Sequence, residues 1–144
     1  MAVAVSGLHH VTIRVQDPDR ARDFYEKTLG LPFMEIPVDQ AFVTGWKDNP
    51  PDGMLLATQI GSTFLIIAPP LEGTPDDDRF SERRIGVDHL AFGVDDPAVL
   101  DEVVSALDEA SVPTAGIETD PVLGKPYVAF RDPDNVQWEF YLAT

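Results

Sequence analysis

A chain of 144 residues can bury one ordinary core but not two, so a single domain is the starting expectation. With 44% hydrophobic and 24% charged residues it has the composition of a globular protein, and its 13 prolines are expected in loops. A formal charge of -15, from 25 acidic and 10 basic residues, repels phosphate backbones and anionic headgroups, so neither nucleic acid nor a membrane is expected as a partner. The absence of cysteine excludes disulfides, zinc–thiolate sites and thiol nucleophiles, leaving His, carboxylates, hydroxyls and a bound metal to carry any chemistry.

No apolar run approaches the roughly 20 residues needed to cross a bilayer. Residues 1–7 have neither a basic start nor a long apolar stretch, and the protein is read as cytoplasmic. The acidity has two readings, solubility or attraction of a cationic small molecule.

In chain order, the first strand is predicted from the alternation in His10-Val-Thr-Ile-Arg-Val15. Val11, Ile13 and Val15 take one face, and His10, Thr12 and Arg14 the other. Asp17-Pro18 then caps a helix over residues 18–28, which buries Ala21, Phe24 and Tyr25 and ends at Gly30. Short strands follow at 33–37, 54–60 and 63–68, with 42–53, including Trp46 and Pro50-Pro51, as a loop over one end of the domain. Residues 72–84 are acidic and poor in apolar side chains, the pattern of a connector. From His89 a further strand sets Leu90, Phe92 and Val94 on one face and His89, Ala91 and Gly93 on the other, the two small residues leaving space beside the imidazole. Asp96-Pro97 caps a helix over 97–110 that buries Leu100, Val103, Val104 and Leu107, and strands are expected at 114–118, 127–131 and 136–142. Phe92, Trp138 and Phe140 join Phe24 and Tyr25 in the core.

Both halves thus read strand, helix, strand, strand, strand, and the likeness reaches residue identity. Laid over His89-Leu-Ala-Phe-Gly-Val-Asp-Asp-Pro97, the segment His10-Val-Thr-Ile-Arg-Val-Gln-Asp-Pro18 repeats His, Val15/Val94, Asp17/Asp96 and Pro18/Pro97. One supersecondary unit has been used twice, which makes an α+β domain of module one (about 7–71), a connector (about 72–84) and module two (about 85–144). Two His at equivalent places converge if the halves pack together, although a lone His on a strand is more often a hydrogen-bonded structural residue than a ligand. Glu139 follows the Asp132-Pro-Asp-Asn135 turn and shares a strand face with Gln137 and Tyr141, away from Trp138 and Phe140. It is either an edge-strand Glu in water or the carboxylate that completes a ligand set with the two imidazoles.

Leu8-His-His-Val-Thr-Ile-Arg-Val15, Phe24-Tyr-Glu-Lys-Thr-Leu-Gly30, Asp88-His-Leu-Ala-Phe92 and the run from Arg131-Asp-Pro-Asp-Asn135 to Glu139 resemble the vicinal oxygen chelate superfamily over nearly the whole chain. That group contains glyoxalase I, extradiol dioxygenases, fosfomycin-modifying enzymes, methylmalonyl-CoA epimerase and bleomycin-binding proteins. The resemblance implies paired βαβββ modules forming a curved mixed sheet around a metal-bearing cavity, often completed by a second subunit, so that a homodimer is expected. It implies His10, His89 and Glu139 as metal ligands, with His9 pointing away. In the family's four-ligand members another donor comes from the last strand of the first module, which here offers Ile66, or Leu65 if the register slips.

Two His and one carboxylate leave up to three positions open on an octahedral ion, which suits one Fe(II) or Mn(II), with Zn(II) or Ni(II) as other candidates. The expected role is that of a Lewis acid toward a small substrate that chelates through adjacent oxygens. Strand parity adds Thr12, Arg14, Tyr127, Gln137 and Tyr141 to the substrate pocket, although Arg14 fits a structural ion pair and Tyr127 simple packing as well. The missing fourth ligand argues against the glyoxalase and epimerase mechanisms, and the open triad favours a dioxygenase-like enzyme over a lyase or isomerase. The competing reading is a bleomycin-resistance-like protein that sequesters a cationic small molecule.

Overall fold

Val11 and Ile13 are half-buried along the first strand, β1 (His10–Arg14), and Val15, just after its end, is 2% exposed. A computed structural model describes residues 2–50 and 53–144 and divides the chain into two units, Met1–Glu26 with Leu31–Asp78, and Lys27–Gly30 with Arg79–Thr144. The division falls inside the segment predicted as connector. Pro51 of the predicted loop lies outside the described residues.

After β1, the Asp17 carboxylate caps α1 (Pro18–Asp23) by accepting from the amides of Asp19 and Arg20, as the Asp-Pro pair predicts. The helix does not continue regularly to residue 28. It widens into a π-helical turn, Phe24–Thr28, with the Leu31 amide bonded to the Tyr25 carbonyl at 3.0 Å. In this turn the adjacent rings of Phe24 and Tyr25 are 8% and 0% exposed and meet edge to face, with centroids 5.2 Å apart. The turn closes at Gly30, whose φ of 71° is the left-handed conformation expected after a helix.

Strands β2 (Met34–Val38), β3 (Gly53–Ile60) and β4 (Thr63–Ala68) complete the first sheet in the order β1-β4-β3-β2, β1 parallel to β4 and the others antiparallel. The segment predicted as a covering loop instead contains a short helix, α2 (Gln40–Val43), and contributes to the core. Val43 is fully buried and Trp46 is 2% exposed, its backbone bridging Leu71.

The second unit repeats the plan with β5 (Leu90–Val94), α3 (Ala98–Glu109), β6 (Ile117–Thr119), β7 (Pro126–Arg131) and β8 (Gln137–Leu142), in the sheet order β5-β8-β7-β6. Asp96 accepts from the Ala98 amide at 2.9 Å at the start of α3. Leu100, Val103 and Leu107 are buried against the sheet as predicted, whereas Val104, a step round the helix, is only half-buried. The strand expected at 114–118 begins at Ile117, because the Thr114 hydroxyl bonds the Ala129 carbonyl and the Gly116 amide, drawing those residues into a turn. Phe92 stacks on Trp138 with ring centroids 4.5 Å apart, and Phe130 and Phe140 extend this aromatic layer.

Candidate metal and substrate site

In the second unit, β8 lies between β5 and β7, and the registers set Ala91, Glu139 and Ala129 side by side. Large apolar neighbours on β8 turn inward to α3, so parity sends Glu139 to the opposite face with Gln137 and Tyr141, as predicted. Two alanines beside it leave the carboxylate room. Gly93 in the next row adds no side chain, and a Cβ built there would make only an ordinary contact with the Ala143 methyl at 3.5 Å.

His89 stands immediately before β5, and its imidazole is held from one side by Asp88, Oδ1 lying 2.7 Å from Nδ1. An Nδ1 proton donated to that carboxylate would leave the Nε2 lone pair as the free end of the ring. It faces Glu139, Nε2 to Oε2 measuring 3.6 Å. That is too long for a charge-assisted hydrogen bond, which runs at about 2.7–2.9 Å. Two donors bound to one divalent ion at about 2.1 Å stand roughly 3.0 Å apart at an octahedral angle and roughly 3.4 Å apart at a tetrahedral one. The pair therefore needs a movement of only a few tenths of an ångström to hold a cation between them. The donor set fits a borderline divalent ion, but it supplies two ligands. Among the described residues no group of three or more His, Asp or Glu is gathered so as to hold a metal.

The remaining predicted residues of this face form a second cluster. Tyr127 and Tyr141 pair across β7 and β8 with their rings 6.1 Å apart and nearly parallel. The Tyr141 hydroxyl donates to Asp120 at 2.9 Å, while the other oxygen of Asp120 accepts the amides of Val122 and Leu123. Those two amides, and then the phenol, hold the Asp120 carboxyl below its ordinary range. Burial foremost pushes both phenols up, reinforced at Tyr127 by Glu118 and Glu139 and at Tyr141 by its bond to Asp120. Neither tyrosine is therefore tuned to release a proton near neutrality. Gln137 accepts from the Arg131 guanidinium at 3.2 Å, and Arg131 in turn grips Glu82 at 2.6 and 3.2 Å, holding that carboxyl down at about 2.

In the first unit, His10, Thr12 and Arg14 share the exposed face of β1. Arg14 donates to the Pro69 carbonyl at 2.7 Å, a structural bond and not the ion pair considered as its alternative role. His9 departs from expectation. It precedes the strand, so alternation does not turn it away, and its Nδ1 lies 2.9 Å from that of His10. The registers also identify the fourth-ligand position. Ile66 pairs with Thr12, two residues after His10, just as Glu139 pairs with Ala91, two residues after His89. The first sheet carries a hydrocarbon where the second carries a carboxylate.

Sequence reasoning gave no role to Asp88, Asp120, Glu118 or Arg131. Only Asp88 had a visible signal, a carboxylate adjacent to a candidate ligand; the others come to this face through strand pairing and a loop.

Paired four-stranded mixed sheets, each closed by a parallel pair and backed by a helix, define a recognised class. Residues 7–140 match the Glyoxalase/Bleomycin resistance protein/Dioxygenase superfamily, and the chain belongs to that family. It is 28% identical over 137 residues to the uncharacterised protein YwkD of Bacillus subtilis (strain 168), covering 95% of this chain and 97% of the relative. Among solved structures it resembles the glyoxylase/bleomycin resistance protein/dioxygenase domain from Frankia sp. EAN1pec, at 25% identity and a TM-score of 0.74, over 98% of this chain and 100% of that one. It also resembles a glyoxalase family protein from Enterococcus faecalis, at 26% identity and a TM-score of 0.68, over 94% and 97% of the two chains.

Proposed function

We propose that the chain is a divalent-metal-dependent enzyme acting on a small substrate that chelates the metal through adjacent oxygens, nearer in chemistry to a dioxygenase than to a lyase or isomerase. The observation that carries the reading is the pair of donor atoms on His89 and Glu139, facing each other 3.6 Å apart with His89 braced by Asp88. His10 is proposed as the third ligand, working in a cytoplasmic homodimer. Bound there, Fe(II) or Mn(II), or else Zn(II) or Ni(II), would supply a Lewis acid for adjacent substrate oxygens. Asp88 fixes the His89 tautomer, Ile66 denies the ion a fourth protein ligand, and Tyr127 and Tyr141 offer flat apolar faces beside Glu139 to orient a substrate ring. With no fourth carboxylate to carry a proton, open coordination positions suit dioxygen chemistry better than isomerisation.

Protein purified without chelator is expected to hold, or to accept after loading with these four ions, about one equivalent of metal. His89→Ala and Glu139→Gln should each abolish stoichiometric binding, and Asp88→Asn should weaken it about 10- to 100-fold. Less than about a tenth of an equivalent after attempted loading refutes the proposal.

One observation favours the second reading, a binder of the bleomycin-resistance kind: the stacked tyrosines lie among Glu118, Asp120 and Glu139, a setting that attracts an organic cation. Tight binding of a cationic glycopeptide by metal-free protein, measured by calorimetry, would favour the binder over the enzyme.

A further inference from the structure

An open cleft of about 700 Å³ lies wholly within the second unit, beside the β7–β8 turn, with Arg79, Thr114, Arg131, Asp132, Asn135 and Gln137 as its polar lining. Its hydrogen-bonding capacity is unevenly spent. The Asp132 carboxylate accepts the amides of Asp134 and Val136, and the Thr114 hydroxyl is committed to Ala129 and Gly116. Arg131 is neutralised by Glu82. By contrast, among the described residues the exposed Arg79 guanidinium has neither an ion pair nor a hydrogen bond, in a chain with 25 acidic residues available to it. Gln137 uses its side-chain oxygen on Arg131, which leaves its amide N–H donors for an incoming group.

We infer that this cleft binds the oxyanion group of a small molecule, a carboxylate or a phosphate, with Arg79 as the cationic anchor and Gln137 as a second donor. A net charge of -15 makes the surroundings repel anions at long range, yet that field is screened beyond about 8 Å at physiological salt, whereas contact with a guanidinium is not. The register places the cleft next to the metal face. Continued one residue before β5, it aligns His89 with Gln137, which itself pairs with Arg131. A ligand anchored at Arg79 would therefore extend along this row toward His89 and Glu139. The assignment goes beyond the proposed enzyme and does not require its metal.

The test uses the full chain, ¹⁵N-labelled, stripped of metal and dialysed, titrated with inorganic phosphate and separately with succinate in about 0.15 M salt. Saturable shifts of the Gln137 side-chain amide are expected with at least one of the two; phosphate alone identifies a phosphoryl ligand, succinate alone a carboxylate. Arg79→Ala should weaken the binding at least about tenfold. Arg83→Ala, removing an exposed arginine outside the cleft, should leave it unchanged. No saturable shift with either anion, or equal effects of the two substitutions, overturns the inference. Because the protein is metal-free, failure of the metal reading leaves this result intact, and the reverse also holds.

Discussion

Asp132 is 4% exposed, and one of its oxygens accepts two backbone amides, those of Asp134 and Val136, each at 2.9 Å. Around it the Asp132 amide bonds the Val136 carbonyl and the Asn135 amide bonds the Asp132 carbonyl, so one carboxylate organises the turn that delivers β8 and Glu139. Asp132→Ala strands two largely buried N–H donors, at about 1–3 kcal/mol each. Allowing for partial access of water to a turn, the expected loss is about 3 kcal/mol. With a urea dependence of about 1.5–2 kcal/mol per molar, the unfolding midpoint should fall by about 1.5–2 M. Asp132→Asn keeps an accepting oxygen without the charge and should lose about 1 kcal/mol. Tryptophan fluorescence reads the transition, since Trp138 is 4% exposed in the strand that follows. An Ala variant within about 0.5 kcal/mol of the parent, or an Asn variant as damaged as the Ala one, refutes the reasoning.

Two further expectations concern packing and pH. At Gly53 an added methyl would lie 1.9 Å from Cγ1 of the fully buried Val43, so Gly53→Ala should lose about 1–3 kcal/mol by overpacking, and adding Val43→Ala should recover part of it in a thermal-melt cycle. Glu82 is held down at about 2 from 4.5 by its hydrogen bonds to Arg131, so its contribution is complete above about pH 5 and disappears as pH falls through 2. Glu82→Gln should accordingly lower the melting temperature near neutrality and converge with the parent by about pH 2; a gap that stays constant over that range contradicts the assignment.

The architecture was legible because the repeat and the two Asp-Pro caps state it locally, residue by residue. The β1 and β5 faces followed from alternation alone. What escaped prediction depended on neighbours distant in sequence. The helix widens at Phe24 and Tyr25, a departure the periodicity does not signal, and Trp46 becomes core because its segment packs back to Leu71. Of the candidate site, His89 and Glu139 were found by position and parity, and strand pairing brings them face to face. Asp120 reaches Tyr141 from a loop 21 residues earlier, a meeting no local pattern announces. The choice between Ile66 and Leu65 likewise waited for the register.

In both sheets the strand that comes last along the chain is an interior one: β4 separates β1 from β3, and β8 separates β5 from β7. β1 and β3, and likewise β5 and β7, each keep one unpaired edge until that late segment arrives, and the β1–β4 and β5–β8 pairs are the long-range contacts that close each sheet. As synthesis proceeds, the carboxylate of Glu139 is delivered by the same event that closes its sheet. The metal binding proposed at His89 and Glu139 should therefore appear only with completion of the second unit's sheet.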